Sequence, residues 1–192
     1  MFFDEKLVAI EAVLASAEIP HAFGGANALA YYGTPRATAD IDLNVFVPAS
    51  RASDVLAVLC QLGATTSSPK MTIELIERDG QARIFWQKTP IDLFFSYDPL
   101  HQSSMERRRL VDFGGDKIHV LSAEDLMVYK AVFNREKVWR DIAEMIYAAE
   151  GSLDFEYVRS WLTRIVSGDD PQLARFERLV EAGGQDLGLA QE

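Results

Sequence analysis

Asp40 and Asp42 stand one residue apart, where a polar loop runs into the apolar stretch 41–47. In an extended chain, side chains i and i+2 share a face. The two carboxylates therefore aim at one spot, while Ile41 and Leu43 turn the other way into a core. Like charges held that close repel unless a cation lies between them. Hard divalent cations such as Mg2+ (or Mn2+) take oxygen ligands of this kind and keep water and substrate phosphates as the others. Asp92 repeats the pattern, an Asp at a strand start between bulky apolar residues in TPIDLFFSY. It reads either as a water-facing strand-edge residue or, with its strand beside that of Asp40 and Asp42, as a third carboxylate. Three carboxylates can hold two metal ions about 3.5–4 Å apart, the arrangement used for in-line displacement at phosphorus. Gly24-Gly25, ahead of this pair, permits a close backbone approach to a phosphate just before a short helix. By itself the pair is a weak signal, since Gly-Gly is more often an ordinary turn.

The elements that would position these groups follow from periodicity and punctuation. A helix is predicted over 4–18, with Leu7, Ile10, Leu14 and Ala17 on its apolar stripe, ended by Pro20. HAFGG reads as a short strand entering a turn, 26–32 as a short helix broken by Gly33-Thr34-Pro35, and 41–47 as a partly buried strand stopped by Pro48. A helix capped by Ser50 or Ser53 follows and ends at Gly63, then a loop over 64–70. Three strands are predicted over 72–78, 82–87 and 91–97, the first pair joined by Asp79-Gly80 as a hairpin and the second separated by Thr89-Pro90. A polar helix or loop covers 100–109, and a second hairpin spans 110–113 and 117–121 around Gly114-Gly115-Asp116. Ser122 reads as an N-cap, with Asp125 in the capping-box position. Beyond it the pattern is helical over 123–133, 135–150, 154–166 and 170–182, broken at Gly151 and at Gly168-Asp169-Asp170-Pro171, with a frayed tail over 183–192. The prediction is an α+β chain, with a mixed sheet flanked by helices over 1–121 and a helical C-terminal part over 122–192 that completes a cleft.

Composition excludes several classes. At 192 residues and 48% apolar, the chain is too rich in core residues for disorder. A net charge of −10 argues against a non-specific nucleic-acid binder, though screening leaves room for a local basic groove. No apolar run approaches the roughly 20 residues of a membrane helix. The N-terminus carries Asp4 and Glu5 and no basic leader, so a cytoplasmic protein is expected. The single Cys60 reads as a buried thiol in a reducing compartment. His21, His101 and His119 share no metal-ligand spacing and read as structural. The aromatic pairs Phe85-Trp86 and Phe94-Phe95 read as sheet packing.

Two motifs together resemble a known family. Gly24-Gly25, Ala28, Gly33, Pro35-Arg36, Thr38 and Asp40-Ile41-Asp42 match the signature of the nucleotidyltransferase superfamily that includes DNA polymerase β. The form is similar to the AbiEii/MenT-type toxins of bacterial toxin–antitoxin systems. Ser122-Ala123-Glu124-Asp125-Leu126, Lys130, Arg135, Lys137 and Asp141-Ile142 match a second segment, so the resemblance covers roughly 20–145. Ala26 departs from it, standing where the family often has Ser or Thr. The resemblance implies a polymerase-β-like nucleotidyltransferase fold with a C-terminal helical bundle. It also implies Mg2+-dependent transfer of NMP from an NTP to the 3′ end of tRNA, blocking translation, with a cognate antitoxin as partner. Asp40 and Asp42 would bind metal and, with Lys130 and Asp141, carry catalysis. Thr38 would position the nucleotide and Lys130 would meet triphosphate. Arg36 is a further phosphate candidate because guanidinium binds phosphate bidentately. Arg135, Lys137 and Arg140 gather near Lys130 and suit NTP or nucleic acid, or else form a solvated helix face. Transfer to a small molecule such as an aminoglycoside, transfer to a protein side chain, and a non-catalytic nucleotide-binding module are the other readings.

Overall fold

A computed structural model describes residues 1–166 and 170–185. The expected break at Gly168-Asp169 and the tail from residue 186 onward lie outside the described residues. The chain divides into two compact units. The first comprises Met1–Asn27 and Ala37–Leu121; the second comprises Ala28–Arg36 and the chain from Ser122 on.

In the first unit, helix α1 (Phe3–Ser16) is followed by strand β1 (His21–Phe23). Asp4 and Glu5 lie in the first turn of α1, where negative charge suits the helix dipole. Its buried face carries Lys6, Leu7, Ile10, Glu11 and Leu14. The buried Lys6 ammonium donates to the Trp86 carbonyl at 3.0 Å and to Thr89 Oγ1 at 2.9 Å, so it is not left unpaired. Helix α2 (Gly25–Leu29) opens beyond β1, and the chain returns as β2 (Ile41–Pro48), a short 3-10 turn (Ala49–Arg51) and α3 (Ala52–Cys60). Neither Ser50 nor Ser53 caps α3; its N-cap position is Arg51, with no side-chain cap. Cys60 is exposed, which corrects the expected buried thiol: the buried stripe of α3 is Ala52, Val55, Leu56 and Leu59, and Cys60 falls outside it.

The two-residue strand β3 (Ala64–Thr65) begins the stretch expected to be loop, and α4 (Pro69–Asp79) replaces the strand expected over 72–78. Ser68 caps α4 by accepting from the Met71 N–H at 3.4 Å, and Pro69 sits in the first turn, where its missing N–H is harmless. Thr72 and Ile76, four apart, are its buried residues. Asp79-Gly80 is the end of this helix rather than a hairpin: Gly80 adopts φ +71 as its left-handed cap. A Cβ on Gly80 would meet the Tyr97 ring at 2.7 Å, but Tyr97 is 77% exposed and can move. Backbone conformation is the larger cost, so Gly80→Ala is expected to lower stability by about 1 kcal/mol, read from a urea titration.

Strands β4 (Gln81–Trp86) and β5 (Thr89–Ser96) form the next hairpin, then come α5 (Pro99–Arg107) and the hairpin of β6 (Arg109–Phe113) and β7 (Asp116–Val120). Among the described residues the strands make one seven-stranded mixed sheet of order β3-β4-β5-β2-β1-β7-β6. The β2–β5 and β1–β7 pairs are parallel and the other pairs antiparallel. Ile41, Leu43 and Val45 of β2 and Ile91, Leu93 and Phe95 of β5 are fully buried, and the alternate residues Asp42 and Asp92 are not. This is the period-two pattern read from the sequence. Helices α1, α3, α4 and α5 pack against the sheet or one another.

The second unit holds α6 (Ala123–Phe133), α7 (Glu136–Ala148), α8 (Phe155–Ile165) and α9 (Pro171–Glu181). Ser122 caps α6 as expected, accepting from the Asp125 N–H at 3.1 Å. The Asp125 carboxylate bonds the Ser122 hydroxyl instead of closing a capping box on its backbone, and takes the Tyr157 hydroxyl at 2.6 Å. Buried residues occur all round α6, the pattern of a central helix. Helices α7, α8 and α9 each bury one stripe, centred on Trp139, Trp161 and Phe176. Arg175 of α9 forks onto Glu136 of α7 at 2.6 Å and lies over the Trp139 ring. No helix among the described residues is long and apolar enough to cross a membrane.

Candidate active site

The carboxylates of the first unit are positioned by β2, β5 and the turn after β1. Asp42 and Asp92 are register partners on the adjacent parallel strands β2 and β5. Neighbouring strands lie about 4.8 Å apart and register partners share a face, so these two carboxylates are immediate neighbours. Asp40 sits in the bend just before β2. The Thr38 hydroxyl donates to Asp40 Oδ1 and accepts from the Asp40 N–H at 3.4 Å, which fixes the carboxylate's orientation.

The Gly24-Gly25 turn closes over the same strand. The Gly24 N–H donates to the Asp42 carbonyl at 2.9 Å. Gly25 has φ +51, and a Cβ built on it would lie 1.8 Å from Asp42 Oδ2. No side chain fits there. The glycine is required both by backbone conformation and by the carboxylate that packs against it.

Arg83 of β4 completes the group and was not foreseen. It pairs with Asp92 across the β4–β5 hairpin and forks onto it, Nε to Oδ1 and Nη2 to Oδ2, each at 2.6 Å. Its Nη2 also lies 3.9 Å from Asp40 Oδ2. The hydrogen bonds it donates to Asp92, then the charges of Asp92, Asp40 and Asp42, hold the guanidinium above its ordinary pKa. Arg83 thus pairs with Asp92 and lies near Asp40, while Asp42 acts on it through charge alone. An all-oxygen set suits Mg2+ or Mn2+, but among the described residues Asp40, Asp42 and Asp92 do not bring three ligand atoms within 4.8 Å of one another. The signal for Arg83 lay in the hairpin register. The turn is Gln87-Lys88, with Gln87 at φ +57, two residues ahead of the expected Thr89-Pro90. Only the true register puts Arg83 opposite Asp92.

A second group lies within the second unit. Lys130 Nζ donates to Asp141 Oδ2 at 2.5 Å, and Arg36 Nη2 reaches the same oxygen at 3.4 Å. Lys130 and Asp141 are 6% and 5% exposed, so the expected basic run divides: Lys130 is a buried ion pair, whereas Arg135, Lys137 and Arg140 are exposed. Arg135 lies over the Phe133 ring at 5.9 Å. The Arg36 Nε is buried with no hydrogen-bond partner among the described residues.

A third group gathers Glu11, His21 and His119, which no sequence spacing had linked. Burial pushes the Glu11 carboxyl up, but hydrogen bonds from His21 and from the His119 N–H outweigh it and bring the carboxyl down to about 2. The histidines are thus not isolated core residues. Of the aromatic pairs, Trp86 and Phe95 are core, while Phe85 is 44% exposed.

No protein-family profile matches the chain, and no curated protein does. Among solved structures, the antibiotic-resistance factor ANT(2'')-Ia aligns over 94% of this chain and 92% of its own, at 17% identity and a TM-score of 0.50. An antigenic nucleotidyltransferase-like protein from Paracoccidioides brasiliensis aligns over 91% of each chain at 18% identity and a TM-score of 0.46. ANT(2'')-Ia in complex with adenylyl-2''-tobramycin aligns over 94% of this chain and 95% of its own, at 15% identity and a TM-score of 0.47. The first of these likenesses shows a shared fold: the chain has the α+β architecture of that antibiotic-resistance factor, with a mixed sheet flanked by helices.

Proposed function

We propose that this chain is a nucleotidyltransferase that moves NMP from an NTP to an acceptor hydroxyl, using Asp40, Asp42 and Asp92 to hold Mg2+ or Mn2+. One observation carries the reading: Asp42 and Asp92 are register partners, and Arg83 ties Asp92 to Asp40. When bound, the metal lowers the pKa of the attacking hydroxyl and stabilises the leaving pyrophosphate. Thr38 keeps Asp40 Oδ1 oriented, and the bare Gly25 leaves Asp42 its place. Arg83 balances the carboxylates and competes with the metal for them. The motif resemblance assigns the triphosphate to Lys130, whose ammonium is aimed by Asp141, and supports phosphate contacts from Gly24, Gly25, Arg36, Arg135 and Lys137.

Gly25→Ala tests the packing of the site. The added Cβ forces Asp42 aside, and a displacement of about 1 Å is expected to cost transfer about 100-fold. The strained φ adds about 1–3 kcal/mol of instability. Initial rates and a urea titration on one preparation separate the two effects.

For the acceptor, the motif form supports the 3′ end of tRNA, with translation blocked in the cytoplasm and relieved by a cognate antitoxin. A small hydroxyl compound is the second reading, favoured by the end-to-end alignment with an antibiotic-resistance factor. The test is incubation with each α-labelled NTP and Mg2+ in the presence of total tRNA, aminoglycosides or cell protein. Label in the tRNA 3′ end supports the toxin reading. Label in the drug replaces it with the second reading, label in protein overturns both, and no label anywhere points to a non-catalytic module.

A further inference from the structure

We propose that Glu11, His21 and His119 form a binding site for a transition-metal dication of zinc's class, separate from the carboxylates of β2 and β5. The three residues come from α1, β1 and β7, and their candidate ligand atoms all lie within 4.8 Å of one another. His21 Nε2 is 3.0 Å from Glu11 Oε2, and His119 Nδ1 is 2.6 Å from Glu11 Oε1. Tetrahedral zinc takes nitrogen and oxygen at about 2.0–2.2 Å, so sub-ångström to ångström shifts of these side chains admit the ion.

The groups behind the ligands are those that a metal site needs. His21 Nδ1 is 2.8 Å from the Ile19 carbonyl, which only accepts, so that nitrogen carries a proton. Nε2, which donates to Glu11 in the absence of an ion, is the atom that ligates once its proton is released to solvent. The His119 backbone N–H donates to Glu11 Oε2 at 2.8 Å, which anchors the carboxylate and leaves Oε1 for the ion. Two imidazoles and one carboxylate suit Zn2+ and its neighbours, whereas Mg2+ prefers oxygen alone. Three protein ligands leave a fourth position open. A cavity of about 390 Å³, lined by His21 and His119 together with Glu18 and Arg108, gives that position space and an entry path. The site is distinct from the candidate active site: His21 pairs with Val45, three residues along β2 from Asp42, which is about 10 Å of strand. Its effect is to tie α1 to the strand ends of β1 and β7.

The test uses the full chain stripped with EDTA and dialysed against Zn2+ in millimolar Mg2+. The expected result is one Zn2+ per chain that Mg2+ does not displace and that Asp42→Asn leaves in place. The Co2+-loaded protein is expected to show the intense visible bands of a four-coordinate site. His119 is the residue to change first, because its side chain is partly exposed. Loss of an outer-shell partner alone costs about 10–100-fold in metal affinity, so His119→Ala is expected to weaken binding by at least about 100-fold. His119→Gln keeps a hydrogen-bonding side chain beside Glu11 but removes the imidazole ligand, and is expected to weaken binding to the same degree. Wild-type protein that binds no zinc, zinc displaced by Mg2+, or unchanged affinity in folded His119→Ala and His119→Gln would each overturn the proposal. The last outcome would leave these residues as a hydrogen-bonded buried network only.

Discussion

Asp42→Asn is expected to fold as the native chain does and to lose nucleotidyl transfer by about a thousandfold. Asparagine has the shape of aspartate, so it keeps the fit against Gly25 that any larger change would break. What it removes is one negative charge beside Asp92 and near Arg83. Charge stabilisation by a bound metal is worth several kcal/mol in a phosphoryl-transfer transition state, and each 1.36 kcal/mol is about tenfold in rate. About 4 kcal/mol therefore gives the thousandfold loss. Stability is expected to change by no more than about 1 kcal/mol, because charge interactions at partly exposed groups are screened by water. Rates and urea midpoints measured on one preparation check both halves. A large loss of stability would mean that Asp42 holds the fold and not a ligand.

Lys130→Ala carries the largest expected cost in stability, about 3–5 kcal/mol. Asp141 is 5% exposed, and Lys130 is its close partner at 2.5 Å; Arg36 at 3.4 Å is a weaker one. Removing the ammonium strands most of a buried charge. Against a typical total of about 5–15 kcal/mol, this is enough to leave much of the protein unfolded at ordinary temperature. Loss of activity in Lys130→Ala would therefore not by itself reveal a triphosphate contact. The double variant Lys130→Met with Asp141→Leu removes both charges and fills the space with apolar groups, an exchange that is often near neutral for stability. It is expected to recover most of the lost midpoint in urea while remaining inactive. Recovery of both stability and transfer would make the pair purely structural.

Local signals in the chain carried much of the architecture. Alternation along 41–47 and 91–97 located β2 and β5, and Ser122 announced α6, because these patterns depend on neighbours a few residues away. Whether Asp92 stands beside Asp42 was open in the sequence, because strand order is not a local property; the β2–β5 register makes them partners. Where propensity and punctuation disagreed, propensity misled. Thr72, Ile73 and Ile76 favour a strand, but Ser68-Pro69 starts a helix and Gly80 ends it, and burial of Thr72 and Ile76 on one face decides the outcome. A two-residue shift in the β4–β5 turn hid Arg83, because one register sets every cross-strand pair. The ion pair of Lys130 was hidden differently: a basic run looks alike whether its members are solvated or buried. Glu11 and His119 lie 108 residues apart, and no local pattern links them.

The carboxylates of β2 and β5 are expected to hold a nucleotide through a divalent ion. This is tested most directly by calorimetric titration of an NTP into the EDTA-stripped chain, with and without Mg2+, in wild-type and Asp42→Asn protein. Binding that requires Mg2+ and disappears in Asp42→Asn is the predicted result. Binding that survives EDTA, binding unchanged by Asp42→Asn, or no binding in any arm would contradict it.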